Sequence, residues 1–270
     1  MQHRVRTLLA AVAATAVAGL VAAAPAADAR ASRRSVASID RVIASRHTAD
    51  DDSLNWAGYY TNAAPNQPIS QASTLVVTPE PKVVPPTLSA SWVGIGGAQS
   101  TDLIQAGVAY GRARGYYAWY EMLPASMVRI TSGCSGDASC AVTFGDHIAV
   151  NIQFVGNNAW NIAVTNVGKW SWSQTFDYAS SMSSVEWIYE APATTYLGLA
   201  TAYGVPARFD HANFYGNRYM MGGVPRQLAP GDAVKTNVSP VGFVMLATPS
   251  PIRSDSAFAV CPYRQTCPTP

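Results

Sequence analysis

The sequence predicts an all-β fold, a sandwich or a barrel forming a single domain, and three observations carry that prediction. From Leu54 to the end, short runs of alternating apolar and polar residues recur between Gly, Pro and Asn turns. Charged residues are 13% of the chain, about half the usual ~25%, leaving too few Glu, Lys and Arg to wet a helical bundle or coiled coil. No convincing helical period follows Leu54, while 20 Gly and 18 Pro punctuate the 270 residues. A hydrophobic content of 49% excludes disorder for most of the chain.

The elements follow in order. Thr74–Thr78 is a strand closed by Pro79, Pro81 and Pro85-Pro86; strand pattern resumes at once, so this Pro-rich stretch is a loop and not a domain boundary. Leu88–Ile95 ends in Gly96-Gly97, the aromatic run Tyr116–Leu123 stops at Pro124, and Met127–Thr131 leads into a cysteine loop. His147–Val155 places Ile148, Val150, Ile152 and Phe154 on one face. It turns at Asn157-Asn158 and pairs as a hairpin with Trp160–Val167. Gly168 turns into Lys169–Tyr178, and Val185–Glu190 is stopped by Pro192. Shorter strands are expected at Ala207–Phe214, Val234–Val238, Val241–Leu246 and Phe258–Val260.

The N-terminus reads as a secretory signal over residues 1–29. Arg4 and Arg6 precede an Ala-rich apolar run from Leu8 to Ala24, and Ala27-Asp28-Ala29 fits a cleavage site. The run is short, weakly apolar and broken at Pro25, so a membrane anchor is not expected, and nothing later is long enough to span a bilayer. Residues 30–53, with Arg33-Arg34 and an Asp run, read as a pro-segment or a disordered linker, leaving 54–270 as the working domain. The formal net charge of +2 belongs to the first 53 residues, which hold seven of the 18 basic and five of the 16 acidic side chains. The remainder is balanced, with no basic field for nucleic acid or an anionic membrane. Cys134 and Cys140, and Cys261 and Cys267, form two close pairs, which in an oxidising compartment read as local disulfides. Asn237-Val238-Ser239 is a formal glycosylation sequon.

Much chemistry is excluded. Beyond residue 53 the histidines are His147 and His211, neither in a metal motif. There is no G-x-S-x-G elbow and no phosphate loop, so neither a zinc hydrolase nor an α/β-hydrolase nor a nucleotide site is expected, and no cofactor. Three carboxylates sit inside aromatic strands: Glu121, Glu186 and Glu190. Period-two alternation puts Glu186, Ile188 and Glu190 on one face with Trp187 and Tyr189 on the other, and Trp119 with Glu121. A carboxylate in such a strand is costly unless it is hydrogen-bonded or opens on a cleft. A structural role for any one of them competes with a catalytic one.

Six stretches in order resemble the eqolisins, the glutamic peptidases. Asn55-Trp56-Ala57-Gly58 resembles N-W-A/G-G, and Trp92-Val93-Gly94-Ile95-Gly96-Gly97 resembles W-V-G-I-D-G. Leu103-Ile104-Gln105-Ala106-Gly107 is similar to I-L-Q-T-G, and Ala118-Trp119-Tyr120-Glu121-Met122-Leu123-Pro124 to A-W-Y-E-W-Y-P. Gly145-Asp146-His147-Ile148 and Val185-Glu186-Trp187-Ile188-Tyr189-Glu190 resemble G-D-x-I and A-E-W-I-V-E. The resemblance implies a two-sheet antiparallel β-sandwich and a catalytic dyad of Gln105 and Glu190. It places Trp92 and Glu121 among the residues that line and organise the cleft; Trp119 and Glu186, on the same strands, join them as substrate-binding candidates. It further implies a secreted endopeptidase that acts on polypeptides, expected as a monomer and with an acid optimum. Three family acids are missing here, at Gly96, Ala109 and Ala191, which bears on the pH profile.

Two other readings compete. One is a carbohydrate-binding sandwich stacking sugars on Trp119, Trp160, Trp170, Trp172, Tyr116 and Tyr117. The other is a glycosidase using two of Glu121, Glu186 and Glu190, which needs carboxyls about 5–10 Å apart.

Overall fold

The computed structural model describes residues 50–53, 55–82, 88–111, 114–192, 194–196, 199–202, 207–231, 233–238 and 246–270. The expected signal peptide and residues 30–49 of the expected pro-segment lie outside the described residues. Strands are numbered in chain order. The first sheet runs, side by side, β1 (Asp50–Ser53), β17 (Val234–Val238), β2 (Trp56–Asn62), β12 (Ser184–Glu190), β4 (Leu88–Ile95), β5 (Ile104–Gly111), β6 (Gly115–Met122) and β7 (Val128–Arg129). The second runs β18 (Ala247–Pro249), β19 (Phe258–Pro262), β15 (Ala212–Met221), β3 (Ile69–Val77), β9 (His147–Gly156), β10 (Ala159–Asn166), β11 (Trp170–Asp177) and β8 (Ser135–Gly136). β16 (Val224–Gln227) pairs with β15 beside β19. Among the described residues the sheets meet through one pairing, Val238 with Ala247. A separate hairpin joins β13 (Thr194–Tyr196) and β14 (Leu199–Ala202). Every pairing is antiparallel except β1 with β17, and the described residues contain no helix. The result is the expected two-sheet antiparallel sandwich.

The main core lies between the sheets. Val185, Trp187 and Tyr189 of β12, Val93 and Ile95 of β4 and Ile104 and Ala106 of β5 face Ile148, Val150 and Ile152 of β9 and Trp160, Ile162 and Val164 of β10. Phe214 stacks on Phe258 at 4.7 Å with the rings nearly parallel. Full burial of side chains of this size is worth about 1.5–3 kcal/mol each. Trp160, Trp170 and Trp172 belong to this core, so they are not available as sugar platforms.

The first sheet is also covered on its other face. Trp56, Ala90, Trp92, Leu103, Ala109, Tyr117, Trp119, Leu123 and Ile188 form a second apolar cluster there. Burial on both sides runs through the middle of this sheet: Trp56–Thr61 of β2, Ser89–Ile95 of β4, Ile104–Ala109 of β5 and all of β12 are buried, so none of the four alternates between buried and exposed. A strand buried on both sides has no period-two signal.

Other differences have local causes. The strand expected over Ala207–Phe214 begins at Ala212 and continues to Met221 through a register shift between Tyr215 and Arg218. Within that bulge, buried Asn217 accepts from Thr74 Oγ1 at 2.7 Å and donates to the Ser256 carbonyl at 2.7 Å. Of the strand expected over Val241–Leu246, residues 241–245 lie outside the described residues. Asp50–Ser53, at the end of the expected pro-segment, pairs with β17. Both disulfides, Cys134–Cys140 and Cys261–Cys267, are formed. Asn237 is buried and accepts from Thr248 Oγ1 at 3.0 Å, so its side chain is tied into the fold. Asp146 of the G-D-x-I segment staples the loop before β9. It accepts from the Thr143 N–H at 2.9 Å, from Asn166 Nδ2 at 2.6 Å and from the Lys169 ammonium.

Candidate active site

The site is built on the outer face of the first sheet, and strand register lays it out in three rows across the strands. The first row reads Tyr60, Glu186, Gly94, Gln105 and Glu121. The second reads Gly58, Ile188, Trp92, Gly107, Trp119 and Arg129. The third reads Trp56, Glu190, Ala90, Ala109 and Tyr117. All six sequence-predicted catalytic and substrate-binding residues therefore share one face.

Glu190 is buried, and both carboxylate oxygens accept hydrogen bonds. Asn55 Nδ2 donates to Oε1 at 2.9 Å and Trp92 Nε1 donates to Oε2 at 2.8 Å. Two N–H donors facing two oxygens suit an ionised carboxyl, because charge-assisted hydrogen bonds are the strong ones. Trp92 spans the middle row, and its six-membered ring lies beside Gly94. A Cβ on Gly94 would stand 2.9 Å from Trp92 Cζ3, and one on Gly107 would stand 2.1 Å from the Ser91 carbonyl. Both positions need glycine for space beside Trp92. Trp56 meets the Trp92 ring edge-on at 5.0 Å.

Gln105 donates from Nε2 to Glu121 Oε2 at 2.7 Å, while its Oε1 is buried without a partner among the described residues. Burial pushes Glu121 up to about 7, against the opposing pull of the Gln105 amide and the Met127 N–H. Glu186 is fully enclosed. Burial raises its carboxyl well above the ordinary range, although the Ser184 hydroxyl and the Ala98 N–H both donate to Oε1. The substrate contact expected of Glu186 has no exposed surface in this structure. The first row passes from fully buried Glu186 to half-buried Glu121 and opens toward the β6–β7 edge, where Met127 and Val128 are exposed.

Asp102 occupies the space that the family's acid would claim at Gly96: a Cβ on Gly96 would lie 2.8 Å from Asp102 Oδ2. Burial alone raises the Asp102 carboxyl, but the Ser181 N–H and the Ser100 and Ser181 hydroxyls outweigh it and hold it below the ordinary range. A carboxylate thus stands beside Gly96 although residue 96 carries none.

Seven buried side-chain polar atoms lack a hydrogen-bond partner among the described residues, and five of them lie on this one face. They are Trp56 Nε1, Gln105 Oε1, Trp119 Nε1, Arg129 Nε and Glu186 Oε2. Native folds satisfy nearly all buried polar groups, so such a concentration marks a surface built to meet something else. Sequence reading missed Asn55, Tyr178 and Arg129 as members of the site. Asn55 stood in a quoted motif. Tyr178 gives no local signal: its hydroxyl accepts from the Leu103 N–H at 2.7 Å and donates to the Leu123 carbonyl at 2.9 Å, tying the start of β5 to the end of β6.

On the outer face of one sheet of this two-sheet sandwich, Gln105 and Glu190 are both buried. The sequence matches the Peptidase A4 family over residues 54–258, and the chain belongs to that family, the eqolisins. Among solved structures it is similar to Scytalido-glutamic peptidase with a peptide-based transition-state analog, at 18% identity and a TM-score of 0.65, covering 77% of this chain and 98% of that one. It is also similar to SCP-B, an eqolisin in complex with the tripeptide Ala-Ile-His, at 18% identity and a TM-score of 0.62, again covering 77% and 98%. At that identity the two structures speak for the fold. A comparison with curated proteins finds no match.

Proposed function

We propose that the protein is a secreted endopeptidase that hydrolyses peptide bonds with Glu190 and Gln105. Glu190, as carboxylate, takes a proton from water as the water oxygen attacks the scissile carbonyl carbon. The Gln105 amide donates from Nε2 to the developing oxyanion. The tetrahedral adduct collapses, the C–N bond breaks, and the protonated Glu190 gives its proton to the leaving amine. Unlike a pair of aspartates, a Gln cannot ionise, so the pair shares no proton between like charges.

The observation that carries this reading is the hold on Glu190. Both oxygens are fixed by N–H donors on the face that also gathers the unpartnered buried atoms, Gln105 Oε1 among them. Flat-sheet spacing puts Gln105 and Glu190 roughly 17 Å apart at Cα. The reading requires the side chains and the right-handed sheet twist to bring the two groups close enough to share a carbonyl and its attacking water. Acid working conditions are supported by Glu121 and Glu186, whose burial favours the neutral form. Export is supported by the two disulfides.

The competing glycosidase reading fares poorly. The three carboxyls are held by separate partners, Gln105, Ser184 and Asn55, so no two of them share a site. The test is E190Q and Q105A assayed on an unfolded protein substrate across pH 2–7. Loss of a general base or an oxyanion donor costs about 10²–10⁴-fold. Full activity in either variant refutes the assignment.

A further inference from the structure

Arg129 stands on the site face without a counter-ion among the described residues. On β7 it faces Trp119 in register and ends the middle row that runs through Ile188, Trp92 and Gly107. Its guanidinium lies over the Tyr117 ring at 4.3 Å from the centroid. Its Nε is buried with no hydrogen-bond partner, and so is the indole Nε1 of facing Trp119. No carboxylate among the described residues forms an ion pair with it. A second cation, exposed Arg114 at the β5–β6 turn, is close enough to act on the Tyr117 hydroxyl together with Arg129. A buried, unpaired guanidinium N–H is costly unless a partner arrives. An arginine beside an N–H donor matches the flat, two-oxygen geometry of a carboxylate. The protein already uses the same combination of an indole N–H and a second N–H donor to hold Glu190.

We propose that Arg129 and Trp119 form a substrate subsite for a carboxylate, the side chain of an Asp or Glu in the polypeptide being cut. The position along the substrate follows from the rows, and this step rests on the Gln105–Glu190 reading. The middle of the span between Gln105 and Glu190 falls near Trp92, three strands from Arg129 in the same row, or roughly 14 Å. Gly107 keeps that row low between Trp92 and Trp119. After the reach of the arginine side chain, the remaining distance is two to four residues of extended peptide at about 3.3 Å each. The subsite therefore selects an acidic residue two to four positions from the scissile bond, on the β6–β7 side.

The test is a set of quenched fluorogenic peptides that differ only by Glu or Gln at each of four positions on either side of the cleaved bond. At pH 5.5 the wild type is expected to cleave one Glu peptide roughly tenfold better in kcat/KM than its Gln twin, the scale of one charge-assisted hydrogen bond. The ratio falls toward one as the pH drops below about 4.3, where the peptide carboxyl is protonated. In R129M the ratio is one at every pH, and in R129K it is intermediate because the fork of donors is lost. Ratios within one variant are independent of how much enzyme is folded. A ratio near one at all eight positions in wild type, or a preference that survives in R129M, overturns the proposal. A second arm measures the dissociation constants of the same pairs on E190Q and on E190Q/R129M by fluorescence anisotropy. That arm judges the subsite even if no peptide is hydrolysed, an outcome that counts against the dyad alone.

Discussion

Replacing Glu121 with Gln should flatten the pH dependence of stability. Burial raises Glu121 from its ordinary 4.5 to about 7 in the folded chain, so the native state holds a proton that the unfolded chain releases earlier. The associated stability is complete below pH 4.5 and is lost as the pH rises through about 7. At one pKa unit per 1.36 kcal/mol, the loss across that window is about 3 kcal/mol, and solvent on the open side of Glu121 reduces it. In a domain of this size 1 kcal/mol moves Tm by about 2–4 °C, so the wild type should lose roughly 10 °C from this group. Glu186 acts in the same direction and remains in E121Q, so the variant keeps part of the slope. Asp102 and Asp146 are held low and act in the opposite direction, below pH 4, outside the window. Thermal unfolding of wild type and E121Q followed by circular dichroism from pH 4.5 to 8 measures the difference. Equal slopes for the two proteins would refute the reasoning that Glu121 is buried uncharged.

Three further outcomes are expected. N55A and W92F each remove one donor from the Glu190 carboxylate, worth about 1.5–3 kcal/mol; kcat/KM should drop about 10–100-fold and the acid limb of the pH–rate profile should move to higher pH, whereas an unchanged profile would show that these bonds do not matter to the reacting form. D146A removes the acceptor shared by the Thr143 N–H, the Asn166 amide and the Lys169 ammonium, the last two keeping longer bonds to the Ala141 carbonyl and the Thr143 hydroxyl, and should cost about 1–3 kcal/mol in urea unfolding, with little change in activity at a temperature where both proteins are folded. Replacing Cys134 and Cys140 together with Ser opens a loop of sequence separation 6; because so short a closure constrains the unfolded chain little, the expected loss is about 2 kcal/mol, read as a small fall in Tm.

Strands rich in β-branched and aromatic residues and closed by turn residues were legible from the sequence. Leu88–Ile95 matches β4 residue for residue, and Val185–Glu190 falls within β12. The placing of Glu186 and Glu190 opposite Trp187 and Tyr189 follows from a period of two and holds in the fold. The Asn157-Asn158 turn announced the β9–β10 hairpin. β2 and β5 were not legible as strands because Ala57, Gly58, Ala106, Gly107 and Ala109 give them small residues of low β-propensity, and β5 carries Gln105. Gln105 was found by motif order alone.

By itself the sequence determined the class of fold, the disulfide pairs, and a short roster of carboxylates in a chain with few charges. Each of these depends on residue type and local spacing. The tertiary structure alone decided which groups meet. Asn55 reaches Glu190 across 135 positions, Trp92 reaches it across 98, and Asp102 fills the space beside Gly96. It also divided three similar glutamates by environment: one held by two N–H donors, one half-buried beside an amide, one enclosed and raised. The separation arises because burial and hydrogen bonding set the state of a carboxyl, and both depend on strands brought together from distant parts of the chain.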